Sequence, residues 1–258
     1  MNIGLVGYGK MGKMIETLAT AKGHTFTAMV DPFAKEERAL SGAPIYRDIP
    51  SAKELSNSDV VIEFTHPSTV LENIKALVEK KLPLVVGTTG WHDQVEEVSA
   101  WVNSAGSSLL WSSNFSLGVN LFYEIAAYAA KLMDHFPEYD VGGWESHHNK
   151  KADSPSGTAR TLVEVVLREM KRKTTPVYEA LQRPPAPEEL HYASLRVGSV
   201  PGTHSLFFDS PADTIEITHT ARNREGLASG AVSAAEWLAG SKEKGVFTMA
   251  DVMRGILP

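Results

Sequence analysis

Cysteine is absent from all 258 residues, which excludes disulfides and thiolate metal sites and suits a reducing compartment. No apolar run approaches the roughly 20 residues that span a bilayer, and the chain opens directly on a strand-like segment with no signal-peptide core. Basic residues never form a long block and the formal net charge is −6, so duplex nucleic acid, which rewards dense positive charge, is not an expected partner. Internal repeats and low-complexity tracts are missing as well. These absences describe a soluble, cytoplasmic protein with neither a membrane nor a nucleic-acid partner. The rest is ordinary for a globular chain, with 43% hydrophobic and 22% charged residues. This length can bury a sizeable core as one large domain or two small ones.

Against that background one stretch is dense in chemistry: Glu145-Ser146-His147-His148-Asn149-Lys150-Lys151-Ala152-Asp153-Ser154-Pro155-Ser156-Gly157-Thr158. Adjacent imidazoles, adjacent lysines and an acid precede a Ser-Pro-Ser-Gly-Thr turn. Helical apolar spacing follows at Ala159, Leu162, Val163, Val166, Leu167 and Met170. A turn of this kind leaves backbone N–H groups at a helix N-terminus, which attract anions by hydrogen bonding and by the helix dipole. Histidine and lysine beside it can move protons or pair with carboxylates. The pattern fits a small, multiply negative molecule. The same residues also admit a plainer reading, as solvated lysines, hydrogen-bonded histidines and a helix cap. Metal binding is not expected, because adjacent histidines point apart and no third ligand has zinc-like spacing.

The N-terminus carries a second pattern. Asn2 to Val6 is a short apolar run, Gly7-Tyr8-Gly9-Lys10-Met11-Gly12 follows at once, and Met11, Met14, Ile15, Leu18 and Ala19 then keep helical spacing. A further strand-like run, Thr25 to Val30, ends in Asp31. Strand, glycine turn, helix, strand and acid in this order fit a dinucleotide-binding βαβ unit better than the alternative of a purely structural glycine turn. Gly7 permits the tight turn, Gly9 lets the backbone approach a pyrophosphate, Gly12 lets helix and strand pack closely, and Asp31 is placed for an adenosine ribose. A 2′-phosphate would want an arginine or lysine next to that acid. Pro32 stands there instead, with Lys35 and Arg38 the nearest bases, so NADH is expected to serve at least as well as NADPH.

Strand and helix go on alternating: strand 59–64, a helix from Pro67 to Lys80, strand 84–86, helix 92–103 and strand 108–111. This predicts a doubly wound parallel sheet of Rossmann type. Loops at its strand C-termini, including Phe64-Thr65, Gly87-Thr88-Thr89 and Ser112-Ser113-Asn114-Phe115, would flank the nicotinamide half of the ligand. After residue 116 the character changes. Gly118 to Met133 is one helix with Val119, Phe122, Ile125, Ala126 and Ala129 on its inner face. Strand 140–144 leads into the histidine stretch, and helix 158–173 out of it. The segment 174–189 reads as a proline-rich loop, and strands follow at 191–197, 203–208 and 214–220. This half is expected to be an α+β domain with an open mixed sheet, a face suited to pairing with further subunits. A helix over 226–239 and anchors at Phe247, Val252 and Ile256 close the chain.

Taken together, several motifs resemble those of the dihydrodipicolinate reductase family. They are Gly7-x-Gly9-x-Met11-Gly12, Glu63-Phe64-Thr65, Gly87-Thr88-Thr89-Gly90, Asn114-Phe115-Ser116-x-Gly118-Val119-Asn120, the stretch from Glu145 to Thr158, and Arg196-x-Gly198-x-x-x-Gly202-x-His204. The resemblance covers nearly the whole chain and implies an NADH- or NADPH-dependent reduction of 4-hydroxy-tetrahydrodipicolinate in the diaminopimelate route to lysine. It implies a homotetramer, with residues 1–115 plus 225–258 as nucleotide domain and 116–224 as the substrate and oligomerisation domain that hinges over the cofactor. Carried over by motif, His147 and Lys151 are the catalytic pair, with Lys151 the proton donor. His148, Ser156, Gly157 and Thr158 bind a dicarboxylate substrate. Gly7, Tyr8, Gly9, Lys10, Met11, Gly12, Asp31, Gly87, Thr88, Thr89, Ser112, Ser113, Asn114, Phe115 and Arg224 bind the cofactor. Nothing is carried over for the 174–189 segment, which departs from the family pattern. The residues read without the family also leave open another two-domain dehydrogenase acting on amino or hydroxy acids, or a non-catalytic NADH sensor. A substrate panel and the presence or absence of turnover separate these.

Overall fold

The computed structural model describes residues 1–254, so the expected anchor Ile256 lies outside the described residues. The chain divides into two compact units, Met1–Leu117 together with the segment from Glu225 onward, and Gly118–Arg224.

In chain order the first unit contributes β1 (Asn2–Val6), α1 (Lys10–Ala21), β2 (Thr25–Val30), β3 (Ile45–Tyr46), β4 (Val60–Glu63), α2 (Val70–Glu79), β5 (Leu84–Val86), α3 (Val95–Ala105) and β6 (Ser108–Trp111). The second contributes α4 (Leu117–Met133), β7 (Asp140–His147), α5 (Gly157–Glu169), β8 (Thr175–Val177), β9 (Glu189–Arg196), β10 (Thr203–Asp209) and β11 (Thr214–Thr220). The chain then returns to the first unit with α6 (Glu225–Gly240), β12 (Gly245–Thr248) and α7 (Met249–Arg254).

The first unit is a seven-stranded sheet in the order β12-β6-β5-β4-β1-β2-β3, with every pairing parallel. Its central strands β1, β4 and β5 are largely apolar because both faces are covered. Ile3, Leu5, Val60, Ile62 and Val85 pack toward α1 and α6, while Val6, Val61, Leu84 and Val86 pack toward α2 and α3. The order reverses direction between β1 and β4, and ligands of such sheets bind outside the strand C-termini at that point.

The second unit holds a mixed sheet ordered β11-β10-β7-β9-β8. β10 is antiparallel to both β7 and β11, whereas β9 is parallel to β7 and β8. Phe122, Ala126 and Ala130 of α4 and Leu162, Val163 and Val166 of α5 cover one face, packing on Val141, Tyr192, Leu206 and Phe208. Strand alternation sends Trp144, Ala193, Leu195 and Phe207 to the other face, where Leu195 is 53% exposed.

The structure departs from the expectations at several elements. α2 starts at Val70 and not at Pro67, because residues 67–69 form a turn in which the His66 carbonyl accepts from both the Thr69 and Val70 N–H groups. The helix expected over 92–103 is a short 3₁₀ turn, His92–Gln94, followed by α3. α5 ends at Glu169, and β8 lies inside the segment expected to be loop. Ile125 is on the outer face of α4 and 54% exposed; helical spacing fits it almost as well to either side. β3 and β12 carry too few apolar residues to have been visible. Among the described residues, no helix is long and apolar enough to cross a membrane.

Candidate functional site

In the first unit the three glycines of the opening turn occupy distinct environments. Gly7 has φ +96°, and a Cβ there would lie 2.0 Å from the Phe64 carbonyl oxygen. A Cβ on Gly12 would lie 2.2 Å from the Gly7 carbonyl oxygen, so α1 can sit this close to β1 only without a side chain. Around Gly9 nothing comes within 4 Å of a built Cβ. Gly9 is also the N-cap of α1 and makes no side-chain cap, so the helix start faces a space a phosphate can enter. That space continues into a cavity of about 690 Å³ lined by Gly7, Gly9, Asp31, Phe33, Arg47 and Thr65, among others. Asp31 is fixed at its rim by backbone N–H groups, with Tyr8 donating to Oδ2 and Phe33 to Oδ1, each at 2.8 Å. A cradle empty at Gly9, an unblocked helix start and an acid at the end of β2 fit a dinucleotide.

The other expected cofactor residues are placed less uniformly. Tyr8 is buried, with its hydroxyl donating to Glu16 and accepting from the Leu40 N–H. Burial, then the Glu16 contact, pushes the phenol up to about 12. Tyr8 therefore offers the site only backbone. Lys10 is exposed and Met11 packs against the core. Gly87, Thr88 and Thr89 follow β5, where a Cβ on Gly87 would lie 2.0 Å from the Phe64 ring and the Thr88 hydroxyl accepts from the Thr65 N–H at 2.6 Å. Thr89 and Ser113 are exposed. Ser112 and Asn114 bond one another, the Ser112 hydroxyl donating to the Asn114 carbonyl at 2.9 Å. The Phe115 side chain is 2% exposed and belongs to the core, so it offers no face to a ligand.

Two residues here, Phe33 and Arg47, were not anticipated, and Glu63 stood in a motif without an assigned role. Phe33 is 89% exposed at the cavity rim. Arg47 lines the cavity and donates to the carbonyls of Pro32 and Ala34. Glu63, at the end of β4, is fully buried; burial raises its pKa, while Thr65 and Asn73 donate to Oε1. Arg47 was invisible because it is distant in sequence from Asp31 and reaches the cavity only through the β3 turn.

In the second unit, strand register assembles the site. Across β7, Glu145 lies opposite His204 of β10 and Ser194 of β9, and His147 lies opposite Arg196. Glu145, His147, Ser194, Arg196 and His204 thus share one face at one end of the sheet. Glu145 is completely buried. Its Oε1 accepts from the Ser156 N–H at 2.9 Å, the Ser194 hydroxyl at 2.8 Å and the Arg196 guanidinium at 3.1 Å. Its Oε2 accepts from the Ser156 hydroxyl and lies 3.2 Å from His147 Nδ1 and 3.4 Å from His204 Nε2. Burial alone would raise this carboxyl, but His204, Ser156 and Ser194 together hold it well below the ordinary range. His147 is pulled down to about 4, chiefly by burial and against the pull of Glu145, with His204, Lys151 and Arg196 adding to the fall. It is a neutral imidazole at pH 7.

Lys151 follows β7 with its Nζ 2.8 Å from Asp153 Oδ1. His148 is half-buried beside it. The chain then passes through a cis Ser154–Pro155 bond into the N-terminus of α5. Ser156 caps that helix, its hydroxyl accepting from the Ala159 N–H at 3.1 Å. That hydroxyl is thereby engaged on both sides, with Glu145 and with Ala159, and does not face outward as expected. Gly157 is exposed, with nothing within 4 Å of a built Cβ, and Thr158 is half-buried. Arg224 is the exposed last residue of this unit. Ligand atoms of Glu145, His147 and His204 lie within 4.8 Å of one another, so a third metal-ligand type does arrive, from a distant strand and not from neighbouring sequence. The carboxylate is already covered by donors, one of them the cationic Arg196, which opposes a bound cation.

Comparison with known proteins gives the family. The pattern described as "Dihydrodipicolinate reductase, N-terminus" matches residues 1–115, and "Dihydrodipicolinate reductase, C-terminus" matches residues 118–253. The chain belongs to the dihydrodipicolinate reductase family. A 4-hydroxy-tetrahydrodipicolinate reductase of Christiangramia forsetii is 38% identical over 98% of both chains. One from Staphylococcus aureus is 35% identical over 96% of this chain and 98% of its own. Among solved structures, a dipicolinate-bound dihydrodipicolinate reductase from Paenisporosarcina sp. TG-14 superposes with a TM-score of 0.77 at 20% identity, covering 96% of this chain and 97% of that one. Aspartate semialdehyde dehydrogenase II of Vibrio cholerae superposes with a TM-score of 0.57 at 10% identity, over 94% of this chain and 99% of its own. These two structures speak to the fold alone. The family is one of oxidoreductases of lysine and diaminopimelate biosynthesis, and its N-terminal domain is a Rossmann domain for a nicotinamide dinucleotide.

Proposed function

We propose that this chain reduces 4-hydroxy-tetrahydrodipicolinate to tetrahydrodipicolinate, with Lys151 as proton donor and His147 as its partner. Family membership supports the reaction. The observation that carries the assignment of residues is the gathering, at one end of β7, of a neutral imidazole, a lysine and the exposed start of α5. Loss of the 4-hydroxyl as water, before or after binding, leaves a ring double bond conjugated with the imine; the bound nicotinamide would supply hydride to that double bond, which leaves carbanion character on the neighbouring carbon. Lys151, paired with Asp153, delivers a proton there. His147 is already neutral and so is not the acid; it supports the transfer through hydrogen bonding. The backbone at Gly157 and Thr158 receives a substrate carboxylate, where amide hydrogen bonds and the dipole of α5 favour negative charge. His148 adds a polar side chain. Dipicolinate, a planar dicarboxylate, is the natural non-reacting probe of this site.

The cofactor is held at Gly7 to Gly12 and at Asp31, whose oxygens retain lone pairs for ribose hydroxyls. NADH serves at least as well as NADPH in this reading, because Pro32 follows the acid and Arg47 is engaged by two backbone carbonyls. The uncovered sheet face bearing Trp144, Leu195 and Phe207 supports assembly into a homotetramer, which in this reading works in the cytoplasm.

The test is Lys151→Ala. Loss of a general acid lowers turnover about a hundredfold or more, while NADH affinity, held in the other unit, stays as it was. Near-normal turnover would remove Lys151 from the mechanism.

A further inference from the structure

The motif Arg196-x-Gly198-x-x-x-Gly202-x-His204 has no part in the reaction as described, yet each of its ends reaches the Glu145 carboxylate. Arg196 donates to Glu145 Oε1 and also to the Asp153 carbonyl, one residue before the turn that leads into α5. His204 lies 3.4 Å from Glu145 Oε2, and its ring stands edge-on to that of His147 with centroids 5.1 Å apart. Gly202, at φ +155°, lies so close to His147 that a Cβ there would be 2.9 Å from Nε2. Glu145 is the common element of this arrangement. One oxygen holds the Ser156 N–H and the other holds the Ser156 hydroxyl. The His147 and His204 rings lie beside that second oxygen.

We propose that Glu145 is a positioning residue for the reduction, a buried carboxylate through which Ser194, Arg196 and His204 fix both the Ser156 turn and the His147 ring. The inference rests on the substrate-site reading above. Charge-assisted hydrogen bonds are the short, strong and directional ones, and here they converge on one residue from β9 and the turn before α5, while His204 of β10 lies 3.4 Å from Oε2 and 3.3 Å from the Ser156 hydroxyl. The amides of Gly157 and Thr158 follow directly from a residue whose N–H and hydroxyl are both pinned. A carboxylate that lost its charge would release Ser156 on one side and leave the Arg196 guanidinium without its anion on the other. The start of α5 and the His147 ring would then drift together.

Glu145→Gln keeps the shape and removes the charge, and the assays are steady-state kinetics, dipicolinate binding and NADH binding on the full chain. A misplacement of about 1 Å can cost on the order of a hundredfold in rate, so kcat/KM is expected to fall by about that factor. KM for substrate and Kd for dipicolinate should both rise, and NADH affinity should not change. A role in folding alone would lower the active fraction, and with it the apparent kcat, while KM and dipicolinate affinity stayed put; that result overturns the proposal. In a double-mutant cycle with Ser156→Ala, the pair should cost little more than Glu145→Gln alone, because both act through one turn. Additive losses would overturn it too. If Glu145→Gln does not fold, Ser194→Ala removes one donor and leaves the charge. It should raise KM in the same direction by a smaller factor, and an unchanged KM counts against the proposal. Wild-type protein that neither binds dipicolinate nor turns over would instead defeat the substrate-site reading itself.

Discussion

Replacing Gly9 by alanine separates ligand binding from folding at the opening turn. Gly9 adopts φ −78° and ψ −157°, a conformation open to alanine, and its built Cβ meets nothing within 4 Å. In the free protein the substitution therefore costs no contact. By narrowing the unfolded ensemble it should stabilise by about 0.4–1 kcal/mol, a rise in Tm of roughly 1–4 °C for a chain of this size. With cofactor the sign reverses. The new methyl occupies the space through which a pyrophosphate approaches the start of α1, and a hydrogen bond to a charged group is worth about 1.5–3 kcal/mol. Losing one such bond weakens NADH binding roughly 10- to 150-fold. Gly12→Ala is the control of opposite kind: its Cβ would lie 2.2 Å from a backbone oxygen, so it should lower Tm with or without cofactor. Thermal melts and NADH fluorescence titrations on the three proteins decide the matter. Unchanged NADH affinity in Gly9→Ala, or a destabilised free protein, would refute the reasoning.

Two further outcomes follow from the charges. His147 has its pKa lowered from the ordinary 6.5 to about 4, so between those values the folded protein binds fewer protons than the unfolded chain and loses stability as pH falls. Denaturant melts of wild type and His147→Gln across that range isolate this contribution from buried Glu63, whose raised pKa acts in the opposite direction; a pH-independent difference would contradict it. For the cofactor, kcat/KM with NADH should equal or exceed that with NADPH, and a strong NADPH preference would show that Arg47 turns from its carbonyl partners to a 2′-phosphate.

Much of the first unit was legible because its signals are local. The apolar runs at Ile3–Val6, Val60–Ile62 and Leu84–Val86 can only be strands buried on both faces, and the spacing of Gly7, Gly9 and Gly12 encodes three separate steric demands. Ile125 was misplaced because a helix with apolar residues on both sides has no unique inner face. β12 escaped because Gly245–Thr248 gains its place only by pairing with β6. In the second unit the histidines and Lys151 were visible as a dense stretch, but their setting was not. Glu145, Arg196 and His204 are brought together by the register of three strands, and Ser156 is turned inward by a carboxylate eleven residues earlier in the chain. Such long-range pairing leaves no periodic trace in the sequence.

The most direct measurement couples this protein to the preceding synthase, supplied with pyruvate and aspartate semialdehyde, and follows nicotinamide absorbance. NADH oxidation is expected to require all three additions and to be blocked by dipicolinate. Synthase product accumulating while NADH and NADPH both remain unconsumed would contradict this.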